Sequence, residues 1–125
     1  MSAPTVMVVD DSLLTSQKLT QMLVQLGYEV VKICRNGADA VSHYPLVKPT
    51  LVTMDITMPD MDGIEATRQI IELDGAARII MVTSHGQEQM VVDALDAGAR
   101  GYVLKPVQAD RLDTTIQQIL GSAAL

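Results

Sequence analysis

A chain of 125 residues, 48% of them hydrophobic, is sized for one domain with a buried core. Its formal net charge of −6 and the lack of a basic stripe exclude a broad nucleic-acid surface, because affinity for a phosphate backbone comes from Lys and Arg. No apolar run approaches bilayer length, and the start Met1-Ser2-Ala3-Pro4 has neither a basic n-region nor an apolar h-region, so the expectation is a cytoplasmic protein without membrane association.

In chain order, Val6-Met7-Val8-Val9 reads as a first strand, and Leu19, Met22, Leu23 and Leu26 form a helical stripe that Gly27 can end. Val30-Val31-Lys32-Ile33 is the second strand. The single cysteine, Cys34, excludes an intramolecular disulfide, and its apolar flanks predict a partly buried, unreactive thiol. Residues 37 to 44 make a weaker helix before Pro45. Leu51-Val52-Thr53-Met54 is the third strand, followed by a helix marked by Ile64, Ile70 and Ile71. Ile79-Ile80-Met81-Val82 is the fourth, with a helix carrying Val91, Ala94 and Leu95 that ends near Gly98. Tyr102-Val103-Leu104 is the fifth, and Leu112, Ile116, Ile119 and Leu120 stripe a last helix, with Gly121 to Leu125 left as a frayed tail.

Continuous apolar strands predict a sheet covered on both faces, and strict strand–helix alternation predicts a doubly wound parallel α/β fold of five strands and five helices. No repeat, linker or second domain interrupts residues 1 to 125. In such a fold the ligand site lies beyond the carboxyl ends of the strands, at the topological switch point.

The strand ends carry the chemistry. The first runs into Asp10-Asp11, the third into Asp55, the fourth into Thr83-Ser84 and the fifth into Lys105-Pro106. Three gathered carboxylates repel one another by about 1 kcal/mol per pair at about 4 Å in water, and several times that in a partly dehydrated site. A hard divalent cation answers that repulsion, and Mg²⁺ accepts a few carboxylates while keeping waters and binding phosphate oxygens. Lys105 adds a point charge and Thr83 a hydroxyl for a phosphoryl oxygen, leaving Asp55 free to act as nucleophile.

Val8-Val9-Asp10-Asp11-Ser12, Thr53 to Gly63, Asp96-Ala97-Gly98-Ala99 and Tyr102-Val103-Leu104-Lys105-Pro106 resemble the signature blocks of response-regulator receiver domains, in order and across nearly the whole chain. Thr53 to Gly63 and Gly86 to Met90 look most like single-domain chemotaxis (CheY-like) receivers. The resemblance implies a flavodoxin-like sheet of order 2-1-3-4-5. It implies a stand-alone receiver, not a classical enzyme, that is phosphorylated on Asp55 by a histidine kinase. Asp11, Asp55 and the Thr57 backbone carbonyl would ligate Mg²⁺, with Asp10 acting through water, while Lys105 and Thr83 hold the phosphoryl oxygens. Thr83 and Tyr102 would form a switch that reshapes the surface of the fourth helix, fifth strand and fifth helix. Thr57 and His85 take the positions that line the path of the hydrolytic water, and so would tune dephosphorylation. A cis Lys105-Pro106 bond is implied as well. Ser16 stands where many relatives carry Arg, a departure in the kinase-facing helix. Implied partners are a histidine kinase and a flagellar motor switch protein or phosphatase, met by a monomer; a phosphate relay or sink is the alternative output.

Taken singly, these residues have plainer readings. Asp10-Asp11 could cap a helix, Lys-Pro could be a turn, Thr-Ser could cap, and Tyr102 could be half of an amphipathic strand. His85 alone reads as a solvent-facing loop residue, and Met54, Met58, Met61 and Met81 as packing. The constellation outweighs them. An aspartyl-nucleophile phosphatase of the haloacid dehalogenase type fits less well, because it needs two acids separated by one residue after the first strand. A flavodoxin-like nucleotide binder needs a glycine- or hydroxyl-rich loop there, where this chain places two acids.

Overall fold

A computed structural model describes residues 3–124. Five strands alternate with five helices: β1 (Thr5–Val9), α1 (Leu13–Gln25), β2 (Glu29–Cys34), α2 (Gly37–Val47), β3 (Leu51–Met54), α3 (Gly63–Leu73), β4 (Ile79–Thr83), α4 (Glu88–Ala97), β5 (Gly101–Leu104) and α5 (Ala109–Ala124). All pairings are parallel and the order is β2-β1-β3-β4-β5, the flavodoxin-like arrangement expected.

The period-two geometry of a strand divides the core. Met7, Val9, Val52, Met54, Ile79 and Met81 face Ala40, Tyr44, Ala66, Ile70 and Ala94 of α2, α3 and α4. Val6, Val8, Leu51, Ile80, Val82 and Val103 face Leu19 and Leu23 of α1 with Leu112, Ile116 and Ile119 of α5. The central strands β1, β3 and β4 are buried on both faces, which explains their unbroken apolar runs.

Four expectations need correction. The edge strand β2 is not covered on both faces: Val31 and Ile33 are exposed at 39% and 40%, and the register against β1 shifts beside Val31, an irregularity of the kind that discourages edge pairing. Cys34 is fully buried rather than partly so, and desolvation pushes its thiol up to about 11. The second helix continues through Pro45 and stops only at Lys48, whose left-handed backbone (φ 49°) caps it through an N–H donated to the Tyr44 carbonyl. Helix α5 runs on to Ala124 instead of fraying from Gly121; Leu125 lies outside the described residues. Gly27 (φ 98°) and Gly98 (φ 117°) end α1 and α4 in the backbone region that glycine adopts freely.

Candidate active site at the carboxyl edge of the sheet

The order of the strands sends the chain to β2 on one side of β1 and to β3 on the other, so the crevice opens between the ends of β1 and β3. Backbone hydrogen bonds continue one residue past each strand. Asp10 N–H donates to the Cys34 carbonyl (3.0 Å), Asp55 N–H to that of Val9 (2.9 Å) and Lys105 N–H to that of Thr83 (2.8 Å). The ladder itself therefore sets the positions of Asp10, Asp55 and Lys105.

Their side chains meet. Lys105 Nζ lies 2.8 Å from Asp10 Oδ2 and 3.5 Å from Asp55 Oδ1. Asp10, Asp11 and Asp55 each offer an oxygen within 4.8 Å of the others. Asp10 and Asp55 are buried, with Asp11 exposed at the mouth. Burial, with the neighbouring acids Asp10 and Asp11 adding to it, pushes the Asp55 carboxyl up to about 6 against the opposing pull of Lys105. Three hard oxygen donors with one lysine between them fit a small divalent cation such as Mg²⁺, which would be held by the carboxylates and would lower their mutual repulsion.

The capping reading of Asp10-Asp11 fails on geometry. Ser12 is the N-cap of α1, accepting the Thr15 N–H, while Asp10 Oδ1 accepts the Ser12 N–H at 2.8 Å and is thereby oriented toward Lys105.

The loop after Asp55 is held by two features that the sequence did not single out. Gly63 N–H donates to the Ile56 carbonyl at 2.7 Å, and a Cβ at Gly63 would stand 1.9 Å from the Asp55 carbonyl oxygen, so only glycine lets α3 start this close. Gly37 makes the matching approach from α2, where a Cβ would meet the Met61 carbonyl oxygen at 2.8 Å. An acid-rich loop ending in glycine was the available signal for the first. Asp62 caps α3 by accepting the Glu65 N–H, and Asp60 turns the loop in a left-handed conformation (φ 69°).

Around the rim, Thr83 is fully buried and its Oγ1 accepts the His85 N–H at 3.2 Å. Thr57 Oγ1 and His85 Nε2 are 2.7 Å apart in a solvent-exposed contact, so the half-buried His85 is bridged rather than an unattached loop residue. Tyr102 is half-buried and donates its hydroxyl to the His85 carbonyl; burial raises its phenol above the ordinary value. The Lys105-Pro106 peptide is cis. All eight predicted site residues thus gather around one end of the sheet. The four named methionines pack as expected, three buried in the core and Met61 against it.

Residues 6–117 match the family model of the response regulator receiver domain. The chain belongs to the receiver family. Chemotaxis protein CheY of Bacillus subtilis (strain 168) is 47% identical over 115 residues, which cover 92% of this chain and 96% of that protein. Among solved structures, a two-component response regulator of the LuxR family from Aurantimonas sp. SI85-9A1 superposes with a TM-score of 0.92 at 36% identity, over 97% of this chain and 87% of that one. The crystal structure of the CheX-CheY-BeF3-Mg+2 complex from Borrelia burgdorferi gives 0.87 at 36% identity, over 95% of this chain and 90% of that chain. Receiver domains are signalling modules rather than classical enzymes, and the acidic cluster here suits the Mg²⁺ pocket of such domains. No helix among the described residues is long and apolar enough to cross a membrane.

Proposed function

We propose that residues 1–125 act as a monomeric, cytoplasmic receiver that takes a phosphoryl group on Asp55 from a phosphohistidine of a histidine kinase. The observation that carries this reading is the meeting of Asp10, Asp11, Asp55 and Lys105 from three separate strand ends. An Asp55 carboxylate oxygen attacks phosphorus, the P–N bond to the donor imidazole breaks, and the departing nitrogen takes a proton from its surroundings. Lys105, drawn between Asp10 and Asp55, stands where it can receive one phosphoryl oxygen, and the Thr83 hydroxyl can leave the His85 N–H to receive another. A Mg²⁺ ion held by Asp10, Asp11, Asp55 and the Thr57 carbonyl would supply the remaining positive charge. Tyr102 and Thr83 then pass the change to the face built by α4, β5 and α5. Thr57 and His85 border the approach to Asp55 and set the lifetime of the acyl phosphate.

Similarity to chemotaxis CheY proteins supports an output in chemotaxis, through a flagellar switch protein or a phosphatase. The CheX-CheY complex among the structural relatives is consistent with the second kind of partner.

The test is chemical. Acetyl phosphate with Mg²⁺ should add one phosphoryl group, located on Asp55 by mass spectrometry, and chelator-treated protein and Asp55→Asn should not gain it. Uptake elsewhere, or uptake undiminished by chelator, contradicts the proposal. Capture of a motor switch protein by the phosphorylated chain alone would fix the output as a chemotaxis signal.

A further inference from the structure

His85 is a junction of three hydrogen bonds. Its N–H donates to Thr83 Oγ1, its carbonyl accepts the Tyr102 hydroxyl, and its ring Nε2 meets Thr57 Oγ1 at 2.7 Å. The Thr57 end is a fixed post, because the acceptor loop is clamped where Gly63 N–H binds the Ile56 carbonyl. The His85 end is held on its N–H side by the buried Thr83 Oγ1, which leaves its carbonyl side to the Thr57 bridge and the Tyr102 hydroxyl. It sits in the short connection between β4 and α4, and the N-cap of α4, Gln87, makes no side-chain cap hydrogen bond. Tyr102 has room to leave: it lines two surface hollows of about 390 and 520 Å³ on the α5 side, one shared with Thr115 and the other with Arg111.

We propose that the Thr57–His85 bridge holds the His85 carbonyl within reach of the Tyr102 hydroxyl, so that the side chain at position 57 sets how far inward Tyr102 rests. Loss of the bridge frees the carbonyl side of His85 to turn about its anchored N–H, the carbonyl moves away, and a half-buried phenol without its acceptor gains by turning to water. Thr57 is then a positioning residue for Tyr102, a role separate from bordering the path to Asp55. That Tyr102 reports to the α4–β5–α5 face rests on the proposed function; its tether to Thr57 does not.

Ring spectra of Tyr102 in the full chain, without Mg²⁺ or phosphoryl donor and assigned with Tyr102→Phe, read the tether directly. Thr57→Val removes the hydroxyl at nearly constant volume and should raise the outward population of Tyr102 about fivefold, the change expected from losing one neutral hydrogen bond. Thr57→Ser should keep the native ring signals. His85→Ala retains the carbonyl but removes the ring, and should move Tyr102 as far as Thr57→Val does; it serves alone if the valine variant fails to fold. Unchanged Tyr102 signals in a folded Thr57→Val or His85→Ala protein overturn the proposal, as does a Thr57→Ser protein displaced as far as the valine variant. Phosphoryl uptake on Asp55 by the native chain, with Mg²⁺ and acetyl phosphate added, tests the proposed function separately: its failure would leave the tether standing.

Discussion

Asp55 at the carboxyl end of the sheet and Asp74 at the amino end are carboxylates in opposite settings. Asp55 is buried among other acids and its carboxyl is pushed up to about 6. Asp74 is exposed, accepts the Tyr44 hydroxyl at 2.8 Å and the Ala76 N–H at 3.0 Å, and its carboxyl is held below the ordinary range, chiefly by the tyrosine. The amino end is also tied by the paired hydroxyls of Thr5 and Thr50, each accepting the other's backbone N–H. One end of the fold spends its polar groups on holding the chain together. The other concentrates charge that the fold must tolerate, which is where reactivity is to be expected.

Gly63→Ala should break this contrast most severely, since the added methyl group collides with the Asp55 backbone. We expect a loss of about 3 kcal/mol in denaturant unfolding together with impaired phosphoryl uptake. Acid titration separates the two ends next. The folded-state value of Asp55 lies above the ordinary 3.8, so the folded chain holds that proton more tightly than the unfolded one. Its stabilisation is complete below the ordinary value and is lost as pH rises through about 6. Metal-free protein should therefore gain about 1–2 kcal/mol from this group between neutral and mildly acidic pH, after allowance for solvent at the pocket mouth, and Asp55→Asn should lack that gain. The lowered carboxyl of Asp74 has the reverse sign: its contribution is present above the ordinary value and is lost on further acidification. Tyr44→Phe should cost about 1 kcal/mol by thermal or chemical unfolding while phosphoryl uptake stays intact. Arg68→Ala, which removes an exposed pair with Glu65, should change stability by no more than about 0.5 kcal/mol.

Periodicity made the sheet legible because β1, β3 and β4 are apolar on both faces, and Gly27 and Gly98 marked two helix ends. It misjudged β2, since an edge strand can carry the same β-branched residues while one side meets water. Pro45 suggests a helix stop in the sequence, although the helix ends only where Lys48 turns left-handed. The acids, Thr83 and Lys105 were visible because they lie at or just past strand ends, whereas Thr57 entered only through the family resemblance. The Thr57–His85 contact was not visible, because it joins two loops 28 residues apart and no local pattern encodes it. The clamp at Gly63 left only the trace of a glycine closing an acid-rich loop, for a glycine's neighbours are a property of the folded backbone.

On the proposed function, the pocket around Asp55 is built from repulsion that a divalent ion would relieve. Unfolding of the native protein and of Asp55→Asn at about pH 7, with and without saturating Mg²⁺, tests this most directly. Without the ion the asparagine variant should be the more stable by about 1–2 kcal/mol, and Mg²⁺ should narrow or reverse that order by binding the native fold. An asparagine variant less stable than the native protein in metal-free buffer, or an equal response of both to Mg²⁺, would contradict it.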